Sequence, residues 1–399
     1  MHRYRKLLKL AVQNPQLAAY KAKITYKNNI VAKQDFKKNT GTARPPLCVC
    51  IKLTNACNLR CKMCGQPREG HKEGDAKYAP LSFFQQIVES QDYANLIREL
   101  APHRPNIYLW GGEPFMYKDI FDLVRTIKDH KMTCQINTNG MYLKKYAQEI
   151  MDSGIDDLII SIDGPQEVHD EVRGLKGTFH LVKTGIQMIQ QMKKKRGVKK
   201  PIIRVRGTIS PWNFEYIHSL IDISEDLGAN SLNFNWTWFT TKETGTAHQN
   251  LMKHLFDTDA QSWIPYEMDV IMDKEKREKF DGIKHELQKI YNNNSSLPIS
   301  MSPFLKPDQV DDYYSNIRET FGHKDCFSIY TKSYILPNGD VTPCPDFPDF
   351  IAGNILEKPF LDIWNGERYR NWRLEIKKRG LFPICYRCCD LFLSDVGFV

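Results

Sequence analysis

Between residues 45 and 240 the chain repeats one unit: a short β-rich run followed by a stretch with helical spacing. The β-rich runs are Cys48–Leu53, Asn106–Trp110, Met132–Asn137, Asp157–Ile162, Ile202–Ile209 and Ser231–Trp236. Helix-period stretches fall at about 81–100, 119–129, 142–152, 178–195 and 213–227. Gly154 and Gly228 follow two of them, as helix C-cap glycines do. Strands alternating with helices imply an α/β fold whose sheet is parallel and whose crossovers are right-handed. Six units are too few for a complete eight-unit barrel.

Beyond residue 240 the alternation is lost. Thr240–His248 is polar and is expected to be a loop, and residues 267–291 are expected to form one long charged surface helix. After Asp325 the pattern turns to prolines, turns and cysteines, which suggests a small separate domain. The expected division is an N-terminal arm at 1–46, a core at 47–240, linking loop and helices at 241–322 and a cysteine-rich unit at 323–399.

The net charge of +9 comes from one place. Residues 1–40 hold ten Lys or Arg and one acid, Asp35, while the other 359 residues carry 46 of each sign. The body therefore shows no electrostatic footprint for nucleic acid. The basic run Lys193–Lys200 ends a helix, where cations are favoured, and lies on the rim opposite the one where such barrels react. In the arm, Tyr4, Leu7, Leu8, Ala11 and Val12 share one helix face, flanked by Arg5, Lys6 and Lys9. Such a helix suits contact with an anionic membrane surface or an acidic partner, or it packs on the barrel. No apolar run approaches the roughly 20 residues of a membrane span. The N-terminus has no secretory signal, so a cytoplasmic location is expected. Eleven cysteines in such a chain read as metal ligands before disulfides.

Cys57, Cys61 and Cys64, spaced C-x3-C-x2-C, follow the first β-rich run. Three thiolates this close can wrap one face of an iron–sulfur cube and leave one iron without a protein ligand. A zinc site is the plainer alternative, and its usual paired hooks fit this spacing poorly. After the second run comes Gly111-Gly112-Glu113-Pro114. Glycines allow close backbone approach, and a carboxylate there can accept from an ammonium. The triad and this motif together resemble the radical S-adenosylmethionine (SAM) superfamily. The resemblance implies a partial (β/α)6 barrel and a [4Fe–4S] cluster on Cys57, Cys61 and Cys64. It also implies SAM on the open iron, with its amino group held by Gly111–Pro114.

The same resemblance assigns further contacts at strand ends. Ser161 is the expected ribose contact, and Asn137, Asp163 and Arg173 are further candidates. The family's aromatic residue before the third cysteine is replaced by Met63, which can still lie against adenine. The C-terminal pattern of Cys326, Cys344, Cys385, Cys388 and Cys389 resembles a SPASM/twitch domain. The expected ligands of one auxiliary [4Fe–4S] cluster are Cys326, Cys344, Cys385 and Cys388, with Cys389 spare; a zinc knuckle is the alternative. Cys48, Cys50 and Cys134 are expected in the core.

The expected activity is reductive cleavage of SAM to a 5′-deoxyadenosyl radical that abstracts a substrate hydrogen. The outcome read from the sequence is net oxidation of a sugar, aminocyclitol or polyol. The alternatives are a maturase of ribosomally made peptides and a non-catalytic electron-transfer protein. A reductant such as flavodoxin or ferredoxin is implied.

Overall fold

The computed structural model describes residues 30–66, 85–268, 274–345, 347–392 and 397–398. The amphipathic stretch at 3–12 lies outside the described residues. The six expected strands are present as β1 (Cys48–Lys52), β2 (Asn106–Trp110), β3 (Thr133–Thr138), β4 (Asp157–Ser161), β5 (Ile202–Ile209) and β6 (Ser231–Trp236). They are followed by β7 (Ile299–Ser302), β8 (Lys332–Ile335), β9 (Asp340–Thr342), β10 (Gly353–Asn354) and β11 (Gly397–Phe398).

One sheet contains all eleven, in the order β10-β9-β8-β1-β2-β3-β4-β5-β6-β7-β11. From β8 to β7 every pairing is parallel, so β7 and β8 extend the six expected strands on either side. The cysteine-rich segment is thereby tied into the barrel, because β8 pairs with β1. Antiparallel β9, β10 and β11 finish the two ends.

The strands bury one face and leave the other partly exposed. Ile107, Leu109, Cys134, Ile136, Ile203, Val205, Leu232 and Phe234 are fully buried under the helical layer. The alternate positions are partly exposed and mostly polar: Tyr108, Trp110, Gln135, Asn137, Arg204, Arg206, Asn233 and Asn235. These face the lumen, since Arg206 Nη1 on β5 donates to Tyr108 Oη on β2 at 3.0 Å, and the two strands are not neighbours. A closed barrel of this kind fills its interior with branched apolar residues. Here the interior is a hydrogen-bonded polar well.

At its base Asn106 Nδ2 donates to Gln135 at 2.8 Å, Gln135 donates to Asp157, and Arg204 Nε meets Asp157 at 3.2 Å. Cys48 belongs to this layer. Its sulfur lies 3.5 Å from Asn106 Nδ2 and 3.7 Å from Cys50 Sγ. Cys134 and Cys50 are buried as expected, whereas Cys48 is partly exposed to the lumen.

Two other expectations meet the structure differently. The polar stretch after Thr240 is a helix, Lys242–Phe256, capped by Thr241 Oγ1, which accepts from Thr244 N at 3.2 Å. Its inward face begins with Thr244, Gly245 and His248 where apolar residues would announce a helix, and Gly245 leaves room for Trp263, whose ring would lie 2.2 Å from an added Cβ. The charged helix expected at 267–291 spans Lys274–Tyr291 and buries Ile283, Leu287 and Ile290.

Candidate functional site

Parallel strands bring all their C-terminal ends to one rim. The cysteine loop leaves β1 there and is laced to the loop after β2. Leu53 N donates to Trp110 O, Gly112 N to Thr54 O and Glu113 N to Ala56 O, each at 2.8 Å. A Cβ on Gly112 would lie 2.0 Å from Ala56 O, and one on Gly111 would lie 2.6 Å from Thr54 O. The glycines are needed because the protein's own backbone passes this close, immediately before Cys57. Pro114 opens a short 3-10 turn, Pro114–Met116, and is buried.

The loop's other side rests on the helix Gln166–Arg173. Arg60 N donates to Arg173 O at 3.3 Å, and Lys62 N to Val172 O at 2.9 Å. Cys57, Cys61 and Cys64 are all partly exposed on this loop, and Cys64 N donates to Cys61 O at 3.2 Å. Met63 stands between the last two and is partly exposed. Tyr266 covers the loop's end: an added Cβ on Gly65 would sit 2.3 Å from its ring. Tyr266 packs edge-on against Trp238, and Trp238 against Phe347, with centroids 4.4 Å apart in each pair.

Two donors reach the sulfurs. Asn139 Nδ2 lies 3.9 Å from Cys57 Sγ and donates to Asn58 Oδ1 at 2.8 Å. Arg173 Nη1 lies 3.7 Å from Cys61 Sγ, and its Nε meets Asp163 Oδ2 at 2.6 Å in an ion pair rather than an aligned hydrogen bond. Burial pushes the Cys57 thiol up to about 11 and also raises that of Cys61, where Arg173 works against it. Binding of a cation to these sulfurs therefore releases protons.

Glu113 is wholly buried. Its Oε1 accepts from Thr138 Oγ1 at 2.7 Å and Phe115 N at 3.2 Å; its Oε2 accepts from Asn139 N at 2.8 Å. Burial raises the carboxyl to about 7 against these donors. Each carboxylate oxygen offers more than one lone pair, so Oε2 has an unused one, but no part of the side chain is exposed. Ser161 ends β4 on the lumen face, opposite Arg206 in register. Asn137 lies on β3, and its Oδ1 is buried without a partner. Neither makes a hydrogen bond to the cysteine loop. Asp163 Oδ1 accepts from Thr208 N at 3.1 Å, which ties the end of β4 to β5.

The sequence reading missed Lys52, Tyr108, Trp110, Asn139 and Arg206. For Tyr108, Trp110 and Arg206 the signal is the alternation within β2 and β5; Lys52 ends β1 and Asn139 follows β3. Lys52 is buried 5.7 Å from the Trp110 ring centroid, and burial lowers its pKa to about 8.

In the C-terminal segment Cys326, Cys385 and Cys388 are buried, and Cys344 and Cys389 are partly exposed. Burial raises Cys326 to about 11 and also raises Cys385, with the two thiols close enough to add to it. Arg387 fixes the turn between Cys385 and Cys388 by donating to the carbonyls of Tyr313, Asn316 and Glu319. Asp390 accepts from Ser328 Oγ at 2.9 Å, Lys332 Nζ at 3.2 Å and Tyr334 Oη.

Among the described residues no three His, Cys, Asp or Glu side chains converge on a single-ion site. One tetrahedral zinc draws its thiolates to within about 2.3 Å of a common centre. A four-iron cube spreads them wider, and an all-thiol donor set suits iron–sulfur chemistry. By the chemistry of the donor set, all thiol at both places, the residues present suit iron–sulfur clusters. A surface groove of about 830 Å³ lined by His218, Glu225, His285 and Asn292 lies on the outer helical layer, away from the cysteine loop. Among the described residues no helix is long and apolar enough to cross a membrane.

The radical SAM superfamily model matches residues 51–222, and the SPASM iron-sulfur cluster-binding domain model matches 326–389. An AdoMet-dependent heme synthase of Oleidesulfovibrio alaskensis is 25% identical over 328 residues, covering 81% of this chain and 76% of that one. An Fe-coproporphyrin III synthase of Methanosarcina barkeri is 24% identical over 316 residues, covering 78% and 72%. Among solved structures, Streptococcus suis SuiB bound to S-adenosylmethionine superposes with a TM-score of 0.55 at 18% identity, covering 83% of this chain and 68% of that one. With the two family models falling on the cysteine loop and on the C-terminal cysteines, the chain belongs to the radical SAM superfamily and carries a C-terminal SPASM iron–sulfur domain.

Proposed function

We propose that this chain cleaves SAM reductively and removes a hydrogen atom from a small organic molecule held in the barrel lumen, with net oxidation of that molecule. When bound on Cys57, Cys61 and Cys64, a [4Fe–4S] cluster with SAM supplies the 5′-deoxyadenosyl radical. Gly111 and Gly112 hold the cysteine loop in place, Glu113 faces the SAM ammonium, and Asn139 and Arg173 donate toward the sulfurs. Ser161, Asn137 and Asp163 line the same end of the lumen as further SAM contacts, and Met63 takes the adenine side. Cys326, Cys344, Cys385 and Cys388 would saturate an auxiliary cluster and leave no open iron there for substrate. A flavodoxin or ferredoxin is the proposed reductant.

The observation that carries the reading is the lacing of the Gly111–Glu113 backbone to the segment entering Cys57. The substrate class follows the relatives that align over most of both chains and are named for heme and Fe-coproporphyrin III. We therefore propose an acidic tetrapyrrole in place of the sugar, aminocyclitol or polyol read from the sequence, since no relative described above is named for one. The likeness to SuiB, at 18% identity, bears on the fold and leaves a peptide substrate without support of its own.

The test is anaerobic reconstitution, reduction and measurement of 5′-deoxyadenosine with SAM. Wild type should form it, and the triple variant Cys57→Ala, Cys61→Ala, Cys64→Ala should not. Product from the triple variant would refute the assignment. Deuterium transfer from labelled substrate into 5′-deoxyadenosine then identifies the abstracted hydrogen.

A further inference from the structure

Two cations line the lumen with no carboxylate to balance them. Arg206 donates through Nη1 to Tyr108 Oη, and its Nε is buried without a hydrogen-bond partner. Among the described residues no Asp or Glu forms an ion pair with it. Lys52 is buried against Trp110 and has no carboxylate ion pair among the described residues; the negative group that acts on it is the Cys64 thiol on the cysteine loop. The remaining lumen cations are different. Arg204 holds Asp157 at 3.2 Å, and Lys332 holds Asp390 at 3.2 Å. Neighbouring lumen groups are neutral: Ser161 and Asn233 flank Arg206 in register, and Asn137 keeps an unpartnered Oδ1.

Arg206 is partly exposed to the lumen with its Nε buried, and a charged donor whose N–H groups are only partly met is best satisfied by an anion. Tyr108 supplies one acceptor only. The guanidinium is a rigid planar fork that matches a carboxylate with two parallel bonds. Phosphate recognition leans on backbone N–H groups at helix N-termini, and the lumen face of these strands presents none. Depth separates this place from the cysteine loop and Gly111–Glu113, while Ser161, opposite Arg206 in register, stands between it and the other proposed SAM contacts. Tyr108 lies in the middle of β2, whereas Gly111–Glu113 and the cysteine loop stand on the rim beyond it.

We propose that Arg206, with Tyr108 beside it and Lys52 one layer nearer the rim, is a carboxylate-binding subsite that seats the acid group of the substrate. This rests on the small-molecule reading above and deepens it: the substrate enters acid-end first, below the cysteine loop. Arg206 is then a specificity-determining residue.

The experiment titrates reconstituted protein with coproporphyrin III and with its tetramethyl ester, which lacks the acid groups, following quenching of tryptophan fluorescence. SAM binding is measured in parallel by equilibrium dialysis. Wild type is expected to bind the acid about tenfold more tightly than the ester, the value of one charge-assisted pair. Arg206→Gln should lose about that factor for the acid and nothing for the ester or SAM; Arg206→Lys should recover part of it. Tyr108→Phe should weaken the acid about threefold.

Unchanged acid binding by Arg206→Gln overturns the proposal. So does wild type that treats acid and ester alike or binds neither. Loss of SAM binding with acid binding intact would assign Arg206 to SAM instead. If Arg206→Gln fails to fold, Arg206→Lys and Tyr108→Phe carry the comparison. Absence of 5′-deoxyadenosine from wild type would sink the proposed function while these binding measurements still decide the subsite.

Discussion

Arg173 and Asp163 meet at 2.6 Å beneath the cysteine loop, with side-chain exposures of 10% and 0%. The same guanidinium reaches toward Cys61 Sγ at 3.7 Å. A buried ion pair contributes little net stability when intact, but removing one partner leaves the other charge stranded. Arg173→Met should therefore cost about 3 kcal/mol in urea unfolding. The double change Arg173→Met with Asp163→Asn should recover more than half of that loss. A double variant no more stable than Arg173→Met would show that the pair is not what Arg173 stabilises.

Gly112→Ala is expected to displace the cysteine loop, because its Cβ would sit 2.0 Å from the Ala56 carbonyl oxygen, a backbone atom that cannot swing aside. Iron bound after reconstitution should fall by about four atoms per chain, the content of one cluster, and SAM cleavage should be lost. Full iron content with full cleavage would contradict the tight lacing.

The auxiliary site separates two adjacent thiols. Cys388 is buried with Leu391 and Phe392, whereas Cys389 is partly exposed. Cys388→Ser should remove the auxiliary cluster, about four irons, while sparing uncoupled SAM cleavage. Cys389→Ser should keep its iron. The reverse pattern would make Cys389 the ligand.

Acid should weaken the fold through two buried imidazoles. His169 and His248 are each lowered to about 4, by burial first, with Arg173 adding to the shift at His169. The folded state holds them neutral while the unfolded chain protonates near 6.5. Their contribution is complete above pH 6.5 and fades as the pH falls toward 4, by at most about 3 kcal/mol each. His248 packs against Phe347 and Phe382 and leaves Nδ1 unpartnered. His248→Phe should therefore flatten the dependence of urea stability on pH between 6.5 and 4. An unchanged slope would show that His248 does not titrate with unfolding.

Asp156 works at the opposite rim. It takes Lys200 Nζ at 2.5 Å, Cys134 N at 2.9 Å and Lys128. Burial opposes its ionisation, yet these donors hold its pKa below the ordinary 3.8. The stability it adds is present above pH 3.8 and is lost as the pH falls through its lower folded value. Asp156→Asn should cost about 1–2 kcal/mol at neutral pH and less in strong acid. An equal cost at both would rule out the charge as the cause.

The sequence by itself determined whatever local order encodes. Hydrophobic alternation and helix-ending glycines placed β1 to β6 within a residue or two, because strand and helix periods are properties of neighbouring side chains. Cys57, Cys61 and Cys64 could be read from spacing, since one loop carries all three. Contacts between distant segments were decided only by the tertiary structure. Gly112 reads as room for a ligand, but the backbone at Ala56 occupies that space. The short run Lys332–Ile335 gives no sign that it pairs with β1. Thr240–His248 reads as a loop because its inward residues, Thr244, Gly245 and His248, are not apolar, and Gly245 is small to admit Trp263. Arg206 and Tyr108 are 98 residues apart, and only closure of the sheet faces them across one lumen.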